Sequence, residues 1–186
     1  MFGERGCVWD SHLRAAADAV KHLLNSGRKN ILFLGMGTGF EVEEEKIAGY
    51  KLAHRESGRP VNKDYFIYDK NILKNGGVKV AAWLAKGVPV DAVFAVNDHT
   101  AKAVMTCLLA KGVKIPEDIA LLGADDMPGV DRWPVPLATI RRPREKIGRE
   151  LVRALLRRYD HSSAGGEETV LECEFIKRQS AGGGVR

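Results

Sequence analysis

Residues Asp91 to Asp126 read DAVFAVNDHTAKAVMTCLLAKGVKIPEDIALLGADD, and their pattern decides the fold. Val93-Phe94-Ala95-Val96 is a short apolar run, Thr100 to Lys111 has helical spacing, Gly112 stops it, and Ile119-Ala120-Leu121-Leu122 is a second apolar run. This is one βαβ unit. Parallel strands covered on both faces have no polar side to show, so they read as continuous apolar runs. A right-handed crossover then places both strand C-termini on one edge of the sheet. Asn97-Asp98 and Asp125-Asp126 fall at those two ends. Ligands of open α/β sheets bind outside the carboxyl ends of the strands, which makes these polar groups binding candidates. Their ordinary alternatives are a helix cap at Asp98 and turn residues at Asp125-Asp126.

Strands and helices keep alternating outward from this unit. Cys7-Val8-Trp9 is a short extended piece, too little for a domain edge by itself. Ser11 opens a helix to Asn25, striped by Ala15, Ala19, Leu23 and by Ala16, Val20, Leu24, and Ser26-Gly27 end it. Ile31 to Leu34 is the first buried strand; a Gly-rich turn, Gly35 to Gly39, leads into a helix from about Glu43 to Ser57. Tyr65 to Tyr68 is the second strand and Val78 to Ala85 the helix after it. The spacing predicts an α/β, doubly wound parallel sheet. Beyond Asp126 the pattern changes. A loop with Pro128, Pro134 and Pro136 precedes an extended Leu137 to Ile140, and Pro143 stands near the start of a helix reaching about Tyr159. Its Ile147, Leu151, Val152, Leu155 and Leu156 form a stripe that must be buried on something. His161 to Gly166 has linker composition, Thr169 to Ile176 alternates like one half-exposed strand, and the glycine-rich tail from Ala181 reads as disordered.

Composition bounds the function classes. With 45% hydrophobic and 28% charged residues, the chain is globular rather than disordered. No apolar run approaches the roughly 20 residues that cross a bilayer, and the N-terminus lacks the apolar core of a secretory signal, so no membrane partner and a cytoplasmic location are expected. Cys7, Cys107 and Cys173 are widely spaced and read as reduced structural thiols. Arg141, Arg142, Arg144, Lys146, Arg149, Arg153, Arg157 and Arg158 make a basic stripe, which without interleaved aromatics reads as a solvated helix face before it reads as a nucleic-acid surface.

The turn ILFLGMGTG, Ile31 to Gly39, resembles the first motif of class I methyltransferases, whose backbone amides receive adenosylmethionine. The acidic partner such a site needs about 20 residues on falls instead at Asp69, and Glu41, Glu43, Glu44 and Glu45 crowd the turn with negative charge. His12, His22, His54, His99 and His161 show no metal-binding spacing and no cysteine accompanies them; His54 and His99 read as exposed helix residues. There is no GxSxG nucleophile elbow. No catalytic set, cofactor or metal is expected.

Several separated motifs agree on another reading. Asp91 to Asp98 with Ala101, then Gly112-Val113-Lys114-Ile115-Pro116-Glu117-Asp118-Ile119-Ala120-Leu121-Leu122-Gly123-Ala124-Asp125-Asp126, closely resemble the lactose-repressor/galactose-repressor (LacI/GalR) family of bacterial transcription regulators. Pro136 to Ile140 with Pro143, Lys177 to Ser180, His22-Leu23-Leu24 with Gly27, and Ala48-Gly49-Tyr50 with Ala53 extend the match over roughly residues 8 to 180. The resemblance implies a two-lobed effector-binding module of the type I periplasmic-binding-protein kind, its lobes joined by three crossovers. Residues 1–10 would be a remnant of the N-terminal lobe or a crossover, 11–136 the C-terminal lobe, and 137–166 a crossover strand, a basic helix of an incomplete second lobe, and a linker. Residues 167–180 would be the returning strand and 181–186 a disordered tail.

The same resemblance implies the site. Asp125 matches the aspartate that bonds effector hydroxyls, and Asn97 a contact after the third strand. Lys46 stands where the family usually has arginine, exchanging a planar fork for a point charge. Phe40 would stack on a sugar face, Asn71 falls at a stacking or polar contact, and Asp98 reads as a cap. The expected partner is a small-molecule effector, a sugar or related metabolite; DNA would be bound only through a helix-turn-helix absent from this chain. The bare leucine stripe predicts a homodimer or other self-association. A transporter's periplasmic solute-binding protein and the methyltransferase are the alternatives.

Overall fold

The computed structural model describes residues 7–37, 39–159 and 168–182. In chain order they form β1 (Cys7–Ser11), α1 (Leu13–Asn25), β2 (Ile31–Gly35), α2 (Glu41–Glu56), β3 (Phe66–Tyr68), α3 (Ile72–Ala85) and β4 (Ala92–Ala95). Then follow α4 (Asp98–Ala110), β5 (Ala120–Leu122), β6 (Thr139–Arg141), α5 (Arg144–Tyr159), β7 (Glu168–Glu172) and β8 (Glu174–Ile176). The main sheet is parallel with strand order β3-β2-β4-β5.

Its strands are apolar throughout because successive side chains point to opposite faces and both faces are covered. Ile31 and Phe33 of β2, Phe94 of β4 and Leu122 of β5 join α1 and α2 through Leu23, Leu24, Ile47 and Tyr50. Leu32, Leu34, Val93 and Leu121 join α3 and α4 through Ile72, Val80, Val104 and Leu108 on the other face. The α1–α2 pairing is close enough that a Cβ on Gly49 would lie 2.4 Å from the Leu13 carbonyl oxygen.

The doubly wound parallel sheet of the sequence reading is therefore present. Four local expectations change. Ser11 ends β1 rather than capping α1, and its hydroxyl donates to Glu45 instead. The extended piece at Cys7-Val8-Trp9 runs on to Ser11 as β1, which pairs in parallel with β7 over five residues, Cys7 opposite Glu168 to Ser11 opposite Glu172. Helix α3 starts at Ile72 and runs through Gly76 and Gly77, where a Cβ on Gly77 would lie 2.6 Å from the Ala103 carbonyl oxygen of α4. Close approach to α4, unreadable from local propensity, keeps those glycines helical.

The fourth change is at the end. Thr169 to Ile176 is two strands, broken at buried Cys173: β7 pairs with β1, and β8 pairs antiparallel with β6. Ala181 is buried against α1, where its carbonyl faces the His22 ring at 2.7 Å, so the expected disorder does not begin there. Residues 183–186 and the expected linker at 161–166 lie outside the described residues. Helix α5 contacts β1 and β7 rather than the main sheet, and it leaves Leu151, Val152, Leu155 and Leu156 more than half exposed.

Candidate functional site

In the order β3-β2-β4-β5 the chain leaves β2 toward β3 on one side, while β4 lies on the other. The loops after β2 and β4 diverge there, and a crevice opens at such a switch point. A cavity of about 380 Å³ occupies it, lined by Met36, Phe40, Glu41, Val42, Glu43, Lys46, Val96, Asn97 and Asp125. Four of the five residues expected as ligand contacts line this cavity. Asn71 does not: it is exposed at the start of α3, where the Asp69 carboxylate accepts from its backbone amide.

Asp125 has φ 109° and Asp126 φ 49°. Positive φ at two adjacent non-glycine residues costs on the order of 1 to 3 kcal/mol each, so the surroundings must hold it. They do so from several directions. The Asp125 amide donates to the Ile140 carbonyl at 2.8 Å, and the Arg144 guanidinium donates to the carbonyls of both aspartates. The Asp126 carboxylate pairs with Arg141 at 2.6 Å and Arg178 at 2.8 Å. By contrast, the Asp125 carboxylate makes no hydrogen bond within the described residues, and burial raises its pKa against the opposing charge of Lys46 and Arg142.

Asp98 does not cap α4. Asn97 does, with Oδ1 accepting from the Thr100 amide at 2.9 Å, and the residue also lines the cavity. Asp98 is fully buried instead, accepting from the Thr139 hydroxyl at 2.6 Å and the Met127 amide at 2.8 Å. It thus ties α4 to β6 and to the loop that carries Asp125. Gly123 makes room, since a Cβ there would lie 2.3 Å from Asp98 Oδ1.

Lys46 is buried to 3% exposure and donates to the Val96 carbonyl at 2.9 Å. Burial lowers its pKa, while Asp125 nearby favours the ammonium. Glu43, one helical turn earlier, is also buried to 3%. Its Oε1 accepts from the Gly37 amide at 3.0 Å, so that amide of the Gly-rich turn is taken by an internal carboxylate. Sequence reasoning counted Glu43 only as one of a run of acids; its i, i+3 spacing to Lys46 was the available signal. Asp69, the acid a methyltransferase would need, is bound by Asn75, Asn71 and Lys79 around α3, which holds it at about 2.

Two histidines are also placed differently from expectation. His54 is buried against Tyr50, with Nδ1 at 3.1 Å from the Pro60 carbonyl. His12, with Asp10 and Cys173, belongs to a buried group whose ligand atoms lie within 4.8 Å of one another. These could in principle hold a metal ion, yet the chemistry around them opposes a further cation. Burial alone would raise Asp10, but Arg142, bonding it at 2.6 and 2.9 Å, outweighs this and holds the carboxylate charged and occupied. Burial and the Lys46 charge push His12 down to about 4, and burial pushes the Cys173 thiol up to about 12. The group reads as a neutral junction around an Arg–Asp pair.

A parallel α/β lobe with its polar groups at the switch point defines a ligand-cleft domain, and a family model described as a periplasmic binding protein-like domain matches residues 20–181. A LacI-family transcriptional regulator from Sanguibacter keddieii superposes with TM-score 0.86 at 32% identity, covering 96% of this chain and 69% of that one. The chain belongs to the LacI family. The regulator CelR, solved as a complex with cellobiose, superposes with TM-score 0.86 at 25% identity over 95% of this chain and 54% of that one. The HTH-type transcriptional regulator GntR of Pseudomonas aeruginosa is 33% identical over 162 residues, 81% of this chain and 44% of that protein. The chain spans about half the length of the curated relatives it matches.

Burial raises the Asp98 carboxyl from its ordinary 3.8 to about 6, against the hydrogen bonds of Thr139 and Met127. The folded form holds this proton more tightly than the unfolded form, so the contribution of Asp98 to stability is full below about pH 4 and is lost as pH rises through about 6. Denaturant titrations of the unmodified chain and Asp98→Asn should show their stability difference shifting in disfavour of the unmodified chain across that window. A difference independent of pH, or shifting the other way, contradicts the assignment.

Proposed function

We propose that this chain is the effector-sensing part of a LacI/GalR-type regulator, with a sugar or related metabolite bound against Asp125, Asn97, Lys46 and Phe40. The observation that carries the reading is Asp125: a carboxylate in the cavity wall without a hydrogen bond among the described residues, on a backbone of φ 109°. Strain and an unmet acceptor at one residue mark a position kept for something other than stability. Phe40, 62% exposed at the cavity mouth, offers an aromatic face to a sugar ring.

In this reading residues 11–136 form one lobe, β1, β7 and α5 belong to a second, and the effector biases the angle between them. DNA contact is assigned to a helix-turn-helix in the half of the relatives' length that this chain does not span, and the setting is the cytoplasm. No helix among the described residues is long and apolar enough to cross a membrane. Asn71 is kept as a contact only through rearrangement of its loop. The transporter alternative has no observation in its favour.

Ligand binding stabilises a fold by mass action, about 2.7 kcal/mol at a hundred times Kd. A thermal-shift screen of neutral sugars, purines and adenosylmethionine should therefore find stabilisation by a sugar or purine. Asp125→Asn, which tolerates the positive φ, should weaken that ligand roughly tenfold to a hundredfold, the worth of a charged hydrogen bond. Stabilisation by adenosylmethionine alone, or an unchanged Kd in Asp125→Asn, contradicts the proposal.

The bare face of α5 carries the partner expectation. Leu155, 68% exposed, stands among Leu151, Val152 and Leu156 on one surface. Contiguous apolar surface of this kind drives association. Sedimentation velocity should show concentration-dependent self-association that Leu155→Glu suppresses; a monodisperse monomer for the unmodified chain contradicts it.

A further inference from the structure

A second unmatched acceptor in the cavity lining is Glu43. Its Oε1 accepts from the Gly37 amide, but its Oε2 is buried without a hydrogen-bond partner among the described residues. The carboxylate is not there by accident of a flexible side chain. Gly35 has room for no side chain, because a Cβ would lie 2.2 Å from Glu43 Oε1, and Gly37, at φ 67°, turns its amide onto the same oxygen. Two glycines thus hold a charged group in the wall with one acceptor unmet. An unmet buried acceptor costs free energy that a donor arriving with a ligand returns.

The charges nearby give that donor a sign. Among the lining residues Glu41, Glu43 and Asp125 are acidic and Lys46 is basic. Lys46 already donates to Val96, Arg142 is committed to Asp10, and Arg144 to the carbonyls of Asp125 and Asp126. The start of α2, which as a helix N-terminus would otherwise attract an anion, carries Glu41, Glu43 and Glu44 in its first turn. A carboxylate or phosphate on the ligand would enter against these charges with no free cation in the lining but Lys46.

We infer that Glu43 is a specificity-determining ligand contact that selects effectors presenting a hydroxyl or ammonium donor to Oε2 and rejects sugar acids and sugar phosphates. This rests on the effector-sensing reading and deepens it. The nearby Lys46 ammonium, with two of its three protons uncommitted by the bond to Val96, supplies the complementary donor for a hydroxyl acceptor on the same ligand. The recognised pattern is an uncharged or amine-bearing polyol.

The test is calorimetric titration of the unmodified chain with D-ribose, D-glucose, D-galactose and cellobiose, with glucosamine and galactosamine, and with glucuronate, galacturonate and ribose 5-phosphate. The tightest ligand should be a neutral or amino sugar, and its acidic counterpart should bind at least about tenfold more weakly, the effect of one unpaired charge. Glu43→Gln keeps an acceptor for the Gly37 amide and removes the charge, so it should lower that ratio while the melting temperature without ligand stays the same or rises. An acid or phosphate as the tightest ligand overturns the inference and leaves the effector-sensing reading standing. A neutral-to-acid ratio unchanged in Glu43→Gln also overturns it. No heat from any of the nine compounds overturns the inference, and the effector-sensing reading falls with it if purines also give none.

Discussion

The cleft depends on one buried carboxylate. Asp98 leaves the end of β4, enters the first turn of α4, and binds both the Thr139 hydroxyl of β6 and the Met127 amide of the loop after β5. That pair of bonds reinforces the backbone link from the Asp98 amide to the Ala124 carbonyl, at 2.8 Å, that couples α4 to the segment carrying Asp125. Full burial makes its ionisation costly, which is the source of its raised pKa. Carboxylates at two neighbouring strand ends are thereby divided between work inside the fold and work at its surface. Asp98 and Asp126 hold the edge together through Thr139, Met127, Arg141 and Arg178, and Asp125 is left to the cavity.

The same division runs through the cations. Arg142, Arg144 and Lys46 all stand near Asp125, and each is bonded elsewhere: Arg142 to Asp10, Arg144 to main-chain carbonyls, Lys46 to the Val96 carbonyl. A lysine in place of the arginine expected from the resemblance fits this geometry, because one ammonium reaching one carbonyl needs no planar fork. The result is a wall in which Arg142 and Arg144 serve the architecture, while the Asp125 Oδ atoms and Glu43 Oε2 have no hydrogen-bond partner among the described residues.

Much of this was legible in the sequence where packing is simple. Continuous apolar runs gave β2, β4 and β5, since strands buried on two faces must be apolar at every position. Asp125, Asn97, Lys46 and Phe40 were reachable because strand ends and family motifs both pointed to them. What escaped depends on contacts between distant segments. Thr139 and Met127 take Asp98 from the surface to the core; Ala103 of α4 turns Gly77 into a packing residue; Pro60 and Tyr50 bury His54; and Arg142 and Cys173 reach Asp10 from far along the chain. None of these has a local pattern. Glu43 is the intermediate case, visible as i, i+3 to Lys46 but hidden in a run of acids.

The central claim is that a ligand seats on the edge formed by the ends of β2, β4 and β5. Backbone amide shifts of the isotope-labelled chain, followed while D-glucose, D-ribose and cellobiose are titrated in turn, test it most directly. For a sugar that binds, the account predicts shifts concentrated at Met36, Gly37, Phe40 to Lys46, Val96 to His99 and Ala124 to Met127. Saturable shifts centred on α5, or on the group around Asp10 and Cys173, with the switch-point loops silent, would contradict it.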